Sequence, residues 1–245
     1  VLARSLGGSR RNRISMKLIP AAMLAVFSSL AGASGFQLME QNASGIGNAF
    51  AGSAAVAENA STVFFNPAGM TQLDGIQVSG GVAAIRPSYK FSNSGSLNPS
   101  LLGGGRATGG SGGDAGGWGI VPNAYASWAL TKDWSLGLGV GAPFGLKTEY
   151  DAGWMGRFQS IKFDIKTLNI NPSLAYRVND KVSLGFGLNW QRIEAEYLRQ
   201  TVLGRPVALN LDDSAWGWNV GALFTVSPSM KLGFSYRSSI KYDTT

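Results

Sequence analysis

Strict period-two alternation is the feature that most limits what this chain can fold into. From Trp134 to Leu146 the residues Trp134, Leu136, Leu138, Val140, Ala142, Phe144 and Leu146 alternate with Ser135, Gly137, Gly139, Gly141, Pro143 and Gly145. In a strand successive side chains point to opposite faces, so this stretch predicts a strand with one wholly apolar side. Met230–Tyr242 and Trp216–Val226 repeat the pattern, and weaker versions run over 76 to about 91, 120–130, 168–178 and 182–190. Seven strands are predicted, and the chain from residue 75 onward is all-β.

The connections between these strands alternate in length. Residues 131–133, 179–181 and 227–229 read as tight turns, whereas 92–118, 147–165 and about 199–213 are long. Short turns at one end and long loops at the other are the mark of an antiparallel transmembrane β-barrel. Trp128, Trp134, Tyr176, Trp216, Trp218, Tyr236 and Tyr242 fall near strand ends, where interfacial aromatic girdles lie. A soluble β-sandwich also alternates. Its solvent face, however, would carry Lys, Glu and Thr, and here the polar face is mostly small: 34 of 245 residues are glycine and only 14% are charged.

The first 33 residues read as a secretory signal peptide. A basic stretch ends at Lys17, an apolar run covers Leu18–Leu30, and Ala31-Gly32-Ala33 offers a small-residue cleavage site. Met16 is an alternative start that would make Val1–Ser15 an upstream extension, and an uncleaved anchor is the competing reading. The run is interrupted by Pro20 and falls short of the roughly 20 apolar residues of a spanning helix. Residues 34–74 are nearly uncharged, rich in small residues and without strand period, so they read as a plug buried inside the barrel. A flexible periplasmic tail is the alternative.

Composition excludes several functions. There is no histidine and no cysteine, which removes histidine-based triads, thiol nucleophiles, disulfides and the usual zinc ligands. No catalytic residue, metal or cofactor is assigned, and the chain is read as a non-enzyme. The net charge of +7 does not signal nucleic acid, because five of the 21 basic residues lie in the first seventeen positions. The Gly-x-Gly runs at 137–141 and 185–187 lack a third glycine and a following helix, so they predict glycines facing the lumen rather than a dinucleotide site. Asp212-Asp213 in a long loop reads as a solvated pair, with calcium binding as the alternative. Leu102–Gly117 reads as a mobile external loop. The Asn-x-Ser triplets at Asn42 and Asn59 carry no meaning in a bacterial envelope.

Four motifs in order carry a family resemblance: Gly35-Phe36-Gln37-Leu38, the Ser44–Gly52 glycine run, Asn66-Pro67-Ala68, and Ala142-Pro143-Phe144-Gly145-Leu146-Lys147-Thr148-Glu149-Tyr150. Together they resemble the FadL family of outer-membrane long-chain fatty acid transporters over residues 34–245. The resemblance implies a fourteen-stranded barrel closed by an N-terminal hatch, monomeric when complete, of which residues 75–245 supply about half. It implies passive uptake of long-chain fatty acids or other hydrophobic compounds, and contact with outer-membrane lipid and lipopolysaccharide. Aromatic hydrocarbon uptake within the same family, and a general porin or structural barrel, are the alternatives.

Two sites follow. Pro143 cannot donate to a ladder and stands among glycines, so Ala142, Pro143, Phe144 and Gly145 are expected to kink the third strand and open the wall. By resemblance this is the lateral exit. The family also has a carboxylate-binding arginine near the outer end of the fifth strand, and its position here falls on Arg199, with Arg237 as a fallback. A guanidinium suits the task because it stays charged and binds carboxylates bidentately. Asn66, Pro67 and Ala68 are the plug motif.

Overall fold

The computed structural model describes residues 37–243, so the predicted signal peptide at 1–33 lies outside the described residues. The N-terminal segment holds two short helices, α1 (Ala43–Gly47) and α2 (Thr62–Phe65), and a 3-10 turn over Pro67–Gln72. The strands that follow are β1 (Ile76–Ile85), β2 (Gly119–Ala129), β3 (Trp134–Gly141), β4 (Gly145–Glu149), β5 (Lys162–Asn179), β6 (Val182–Gln200), β7 (Pro206–Ser227) and β8 (Met230–Arg237). They form one half-barrel sheet in chain order, with β4 paired to β5 beside β3. Every pairing is antiparallel.

The registers put the odd-numbered residues of every strand except β4 on one face. That face is the buried one, and it is polar: Asn171, Asn189 and Asn219 are each 1% exposed or less, with Asn123, Ser127, Ser135, Asn169, Ser173, Ser183 and Gln191 also buried. The even-numbered face is apolar and exposed, with Val78 at 77%, Trp216 at 66% and Phe234 at 59%. A soluble sandwich buries its apolar face and solvates the polar one. This sheet does the reverse, as a membrane-spanning barrel must. Aromatic side chains on the outer face pair near strand ends, with Trp134 and Tyr176 rings 4.5 Å apart and Trp218 and Tyr236 5.3 Å apart.

Several sequence boundaries move. The first strand stops at Ile85, and the fourth, fifth and sixth run well past their apolar stretches, to 162, 200 and 206. The reason lies in the side chains of the extensions. Beyond the lipid boundary the outer face carries Lys162 paired to Glu196 at 2.6 Å, Lys166 to Asp164 at 3.4 Å and Arg192 to both Glu194 and Asp212. The ladder continues where the hydrophobic alternation ends. The expected loop over 199–213 therefore shrinks to 201–205, and Asp212 and Asp213 sit in β7 on opposite faces, a geometry that keeps the two carboxylates from sharing one ion.

The outer loop 103–118 is also more defined than its glycines suggest. Asp151 and Met155 donate their backbone N–H to Gly112 and Gly110, and a Cβ at Gly109 would stand 2.4 Å from the Gly153 carbonyl. Gly109, Gly112 and Gly113 all have positive φ. They are required by this packing.

Candidate functional site

The third predicted strand is broken where Pro143 stands. β2 pairs with β3 from Ala129 opposite Ser135 to Asn123 opposite Gly141, and stops. Continuing that register would set Pro122 opposite Ala142, so a second proline flanks the break. Beyond it, β4 pairs with β5 and leaves Gly119–Pro122 of β2 without a partner on that side. The hydrogen-bonded ladder therefore ends between β2 and β4.

The break is also a bulge. Gly141 faces Asn169 and Gly145 faces Lys166, so residues 142–144 oppose only 167 and 168. One extra residue flips every later side chain to the other face. Leu146, expected on the apolar outer face with Trp134 and Leu138, thus shares the inner face with Ile165, while Lys147 and Glu149 turn outward and pair at 3.1 Å.

Backbone groups released from the ladder must find partners in a membrane wall. Phe144 donates its N–H to the Thr167 hydroxyl at 3.0 Å, and that hydroxyl donates to the Phe144 carbonyl at 2.7 Å. From the inner side, the Leu38 N–H donates to the Pro143 carbonyl at 2.9 Å and Gln41 Nε2 to the Ala142 carbonyl at 3.1 Å. Gln37 forms a bridge with Phe144. Residues 37–41 thus strap the break from within. A cleft too narrow for a water molecule lies beside it, lined by Phe64, Tyr125, Gly139, Val140, Gly141, Pro143, Asn169 and Asn171.

The rest of the N-terminal segment packs against the inner face. Asn66 Oδ1 accepts from the Ala68 N–H at 3.1 Å, which caps the 3-10 turn, and Pro67 supplies its first residue. The other end of the same amide donates to the Ala54 carbonyl at 2.6 Å and to the Ala222 carbonyl of β7 at 3.1 Å. Sequence reading singled out Asn66, Pro67 and Ala68 but not their seats. A Cβ on Gly221 would stand 1.9 Å from Asn66 Oδ1, one on Gly185 2.3 Å from the Ala68 nitrogen, and one on Gly233 1.9 Å from the Ala54 carbonyl. The wall glycines admit the turn to backbone contact. Nearby, Ala60, Val63 and Met70 join Tyr125 and Ala175 in a buried apolar cluster.

Two inner-face arginines grip this segment. Arg177 of β5 donates to the Thr71 carbonyl, and Arg237 of β8 donates to the Phe64 carbonyl at 3.0 Å and to Asn189 Oδ1. The signal for both was their parity with buried asparagines, which the sequence reading did not use. Arg199 lies elsewhere, exposed at the outer end of β6 opposite Val207. The unbroken β6–β7 register puts it on the face of Asn189 and Gln191. The structure brings Ala142–Gly145 and the N-terminal segment together, with Arg199 apart from both.

A model of the family "Outer membrane protein transport protein (OMPP1/FadL/TodX)" matches residues 24–245. Outer membrane protein P1 of Haemophilus influenzae is 30% identical, across 95% of this chain and 59% of the relative. The long-chain fatty acid transport protein of Escherichia coli K12 is 28% identical, across 91% and 55%. The chain therefore spans between half and two thirds of the length of these relatives. Among solved structures, a Pseudomonas aeruginosa FadL homologue superposes with a TM-score of 0.76 at 24% identity, over 84% of this chain and 53% of that one. Sheet and sequence converge: the chain belongs to the OMPP1/FadL/TodX family of outer-membrane transport proteins.

Proposed function

We propose that this chain forms part of a passive outer-membrane channel that takes up long-chain fatty acids and related hydrophobic molecules and releases them sideways into the lipid. The observation that carries this reading is the wall break at Ala142–Gly145, whose backbone is satisfied by Thr167 and by residues 37–41 instead of by β2. An opening held shut by a movable segment suits lateral exit, whereas a general porin needs an open lumen and an intact wall. Residues 34–74 act as the hatch. The cleft beside the break has no room for a water molecule, whereas ordinary ligand pockets hold ~300–1,000 Å3, so the strap must shift for a ligand to pass.

In this reading residues 1–33 direct export and are removed, and the charged outer-face ends of β4–β7 meet lipopolysaccharide. The complete protein works as a monomer. Arg199 receives the carboxylate at the outer mouth, while burial of the alkyl chain supplies most of the affinity at about 0.8 kcal/mol per CH2.

Uptake of palmitate by cells carrying the complete protein tests the reading. Pro143→Val with Gly145→Thr returns a backbone donor and β-branched side chains to the break and should bring uptake down to that of cells lacking the protein, with heat-modifiable gel mobility unchanged. In the same assay Arg199→Ala should slow palmitate and leave methyl palmitate alone. Normal uptake by the double variant would exclude lateral exit at this position.

A further inference from the structure

The interruption beside Pro143 has an upper end as well as a lower one. Below it, the last ladder pair is Asn123 opposite Gly141. The two sides then run on equally, from 123 back to 115 and from 141 forward to 149, and there the Glu149 N–H donates to the Ala115 carbonyl at 2.9 Å. That bond belongs to a row. Ala115 donates its own N–H to the Tyr89 carbonyl at 2.9 Å, Glu149 stands opposite Lys162, Tyr150 donates to the Ile161 carbonyl at 2.8 Å and Ile161 to the Leu198 carbonyl at 2.7 Å. Main-chain bonds thus cross above the interruption from the segment after β1 to β6.

The sides are held too. Gly119–Pro122 stay paired with 82–85 of β1, and Gly145–Glu149 with β5. Each side is about 26 Å of chain at about 3.3 Å per residue, tied at both ends and backed by a neighbouring strand, so it has no slack with which to bow outward.

The upper bar is clamped by packing between the two outer loops. Trp154 is buried, stacks on Tyr150 with ring centres 3.9 Å apart and meets the Phe91 ring edge-on at 5.5 Å. Its indole N–H donates to the Ser160 carbonyl at 2.8 Å, and Arg157 donates to the Thr108 carbonyl at 2.7 Å. A Cβ on Gly112 would stand 2.8 Å from both Trp154 Cβ and Tyr150 Cδ1. The loops interlock at glycine distance.

We propose that the interruption is a framed window, that its upper bar stays closed while a ligand leaves, and that the bar thereby limits the girth of what can pass: a single alkyl chain goes through and a two-chain lipid does not. Glu149 contributes through its backbone N–H, and Trp154 positions the bar. Only the strap at 37–41 has to move. The proposal rests on the lateral-exit reading and adds to it a specificity determinant for ligand shape.

Palmitate and 2-hexyldecanoate, its two-armed isomer, test it with the complete protein in cells, read as acid delivered to the inner membrane. The parent should deliver palmitate and little of the isomer. Glu149→Pro removes the bar's donor while the ladder to β5 remains, and Trp154→Ala removes the clamp. In each, delivery of the isomer should rise severalfold and that of palmitate should stay parental. Hydrogen exchange on the parent supplies a second measurement: palmitate should speed the Leu38 amide of the strap and leave the Glu149 amide slow. No rise for the isomer in variants of normal heat-modifiable mobility, or palmitate-induced exchange at Glu149, would overturn the frame and leave lateral exit standing. A parent that delivers neither acid would overturn the transport reading and the frame together.

Discussion

The β5–β7 wall and the β2–β4 wall are made of the same kinds of residue and solve opposite problems. All 19 residues of β6 pair with β7, from Val182 opposite Phe224 to Gln200 opposite Pro206, with no slip. β2, 11 residues long, pairs with β3 only from Asn123 to Ala129. Glycines are frequent in both. In the regular wall Gly185 and Gly221 have ordinary strand pairing, and the missing side chain leaves room for Asn66, Pro67 and Ala68. In the broken wall Gly141 and Gly145 flank a bulge, and their missing side chains leave room for the strap, with Gly145 3.1 Å from Leu38 Cδ1 on adding a Cβ. The contrast teaches that a glycine in this sheet marks what lies against it; a proline alone does not end a ladder, since β5 runs through Pro172 in unchanged register, and β3 stops where Pro143 coincides with an extra residue.

The comparison predicts unequal responses to the same substitution. Gly221→Val drives two branches into the Asn66 amide, which its bonds to Ala54, Ala222 and Ala68 hold in place. Overpacking of this kind costs about 1–3 kcal/mol or more. The N-terminal segment, the less firmly held partner, should leave its seat while the strands still form. A single cysteine introduced at Asn48, in a chain that has none, would then react rapidly with a bulky membrane-impermeant reagent. Slow labelling, equal to that of the unsubstituted parent with the same cysteine, would show that the turn does not depend on this seat. Gly145→Val meets only the end of Leu38 and should disturb the hatch less.

Thr167→Val probes the broken wall alone. The shape is kept and both hydrogen bonds to Phe144 are lost, which leaves buried backbone groups unsatisfied at a cost of about 1–3 kcal/mol. Denaturant unfolding of the complete protein in lipid should show that loss. The same change at Thr225, whose backbone N–H donates to the Lys181 carbonyl without help from the hydroxyl, should stay close to parental stability. Equal losses at the two positions would erase the distinction between the walls.

The smallest effect concerns the outer loop above the broken wall. Asp114 accepts from the Ser88 hydroxyl at 2.7 Å and from the backbone N–H groups of Gly116 at 3.0 Å and Tyr89 at 2.8 Å. These bonds favour the ionised form and lower its pKa from the ordinary 3.8, the Ser88 bond most of all. A lowered folded pKa means that the stabilising contribution is present above 3.8 and is lost as the pH falls through the lowered value. Exchange of the Tyr89 and Gly116 amides should rise in that acid range and be insensitive to it in Asp114→Asn. Identical acid profiles for parent and variant would remove Asp114 as the cause.

Much of this was legible in the residues. Alternation over 134–141, 216–226 and 230–236 predicts strands and their faces, because side-chain direction in a strand depends on parity alone. Pro143 announces a break for an equally local reason, the missing donor. Parity failed only where the ladder slipped: nothing in Leu146 itself reveals that a bulge at 142–144 turns it inward. Strand ends at 162, 200 and 206 were hidden because polar ion-paired hairpins continue a ladder without hydrophobic alternation. The candidate site was half visible. Asn66-Pro67-Ala68 and Ala142–Gly145 stood out and Arg237 was named only as a fallback for a ligand, but Thr167, Gln41 and the contact of Arg237 with the N-terminal segment were hidden, since each acts on backbone far away in sequence; Arg237 meets a carbonyl 173 residues distant and Asn66 one 156 residues distant.

Sequence alone therefore determined the strands, the sidedness of the sheet and the place where the wall would fail, since all three follow from the identity of neighbours along the chain. Only the tertiary structure decided which glycines seat the N-terminal turn, which side chains satisfy the broken strand and which arginines bond the N-terminal segment. Those depend on registers between strands, and a register is set by the packing of the whole sheet.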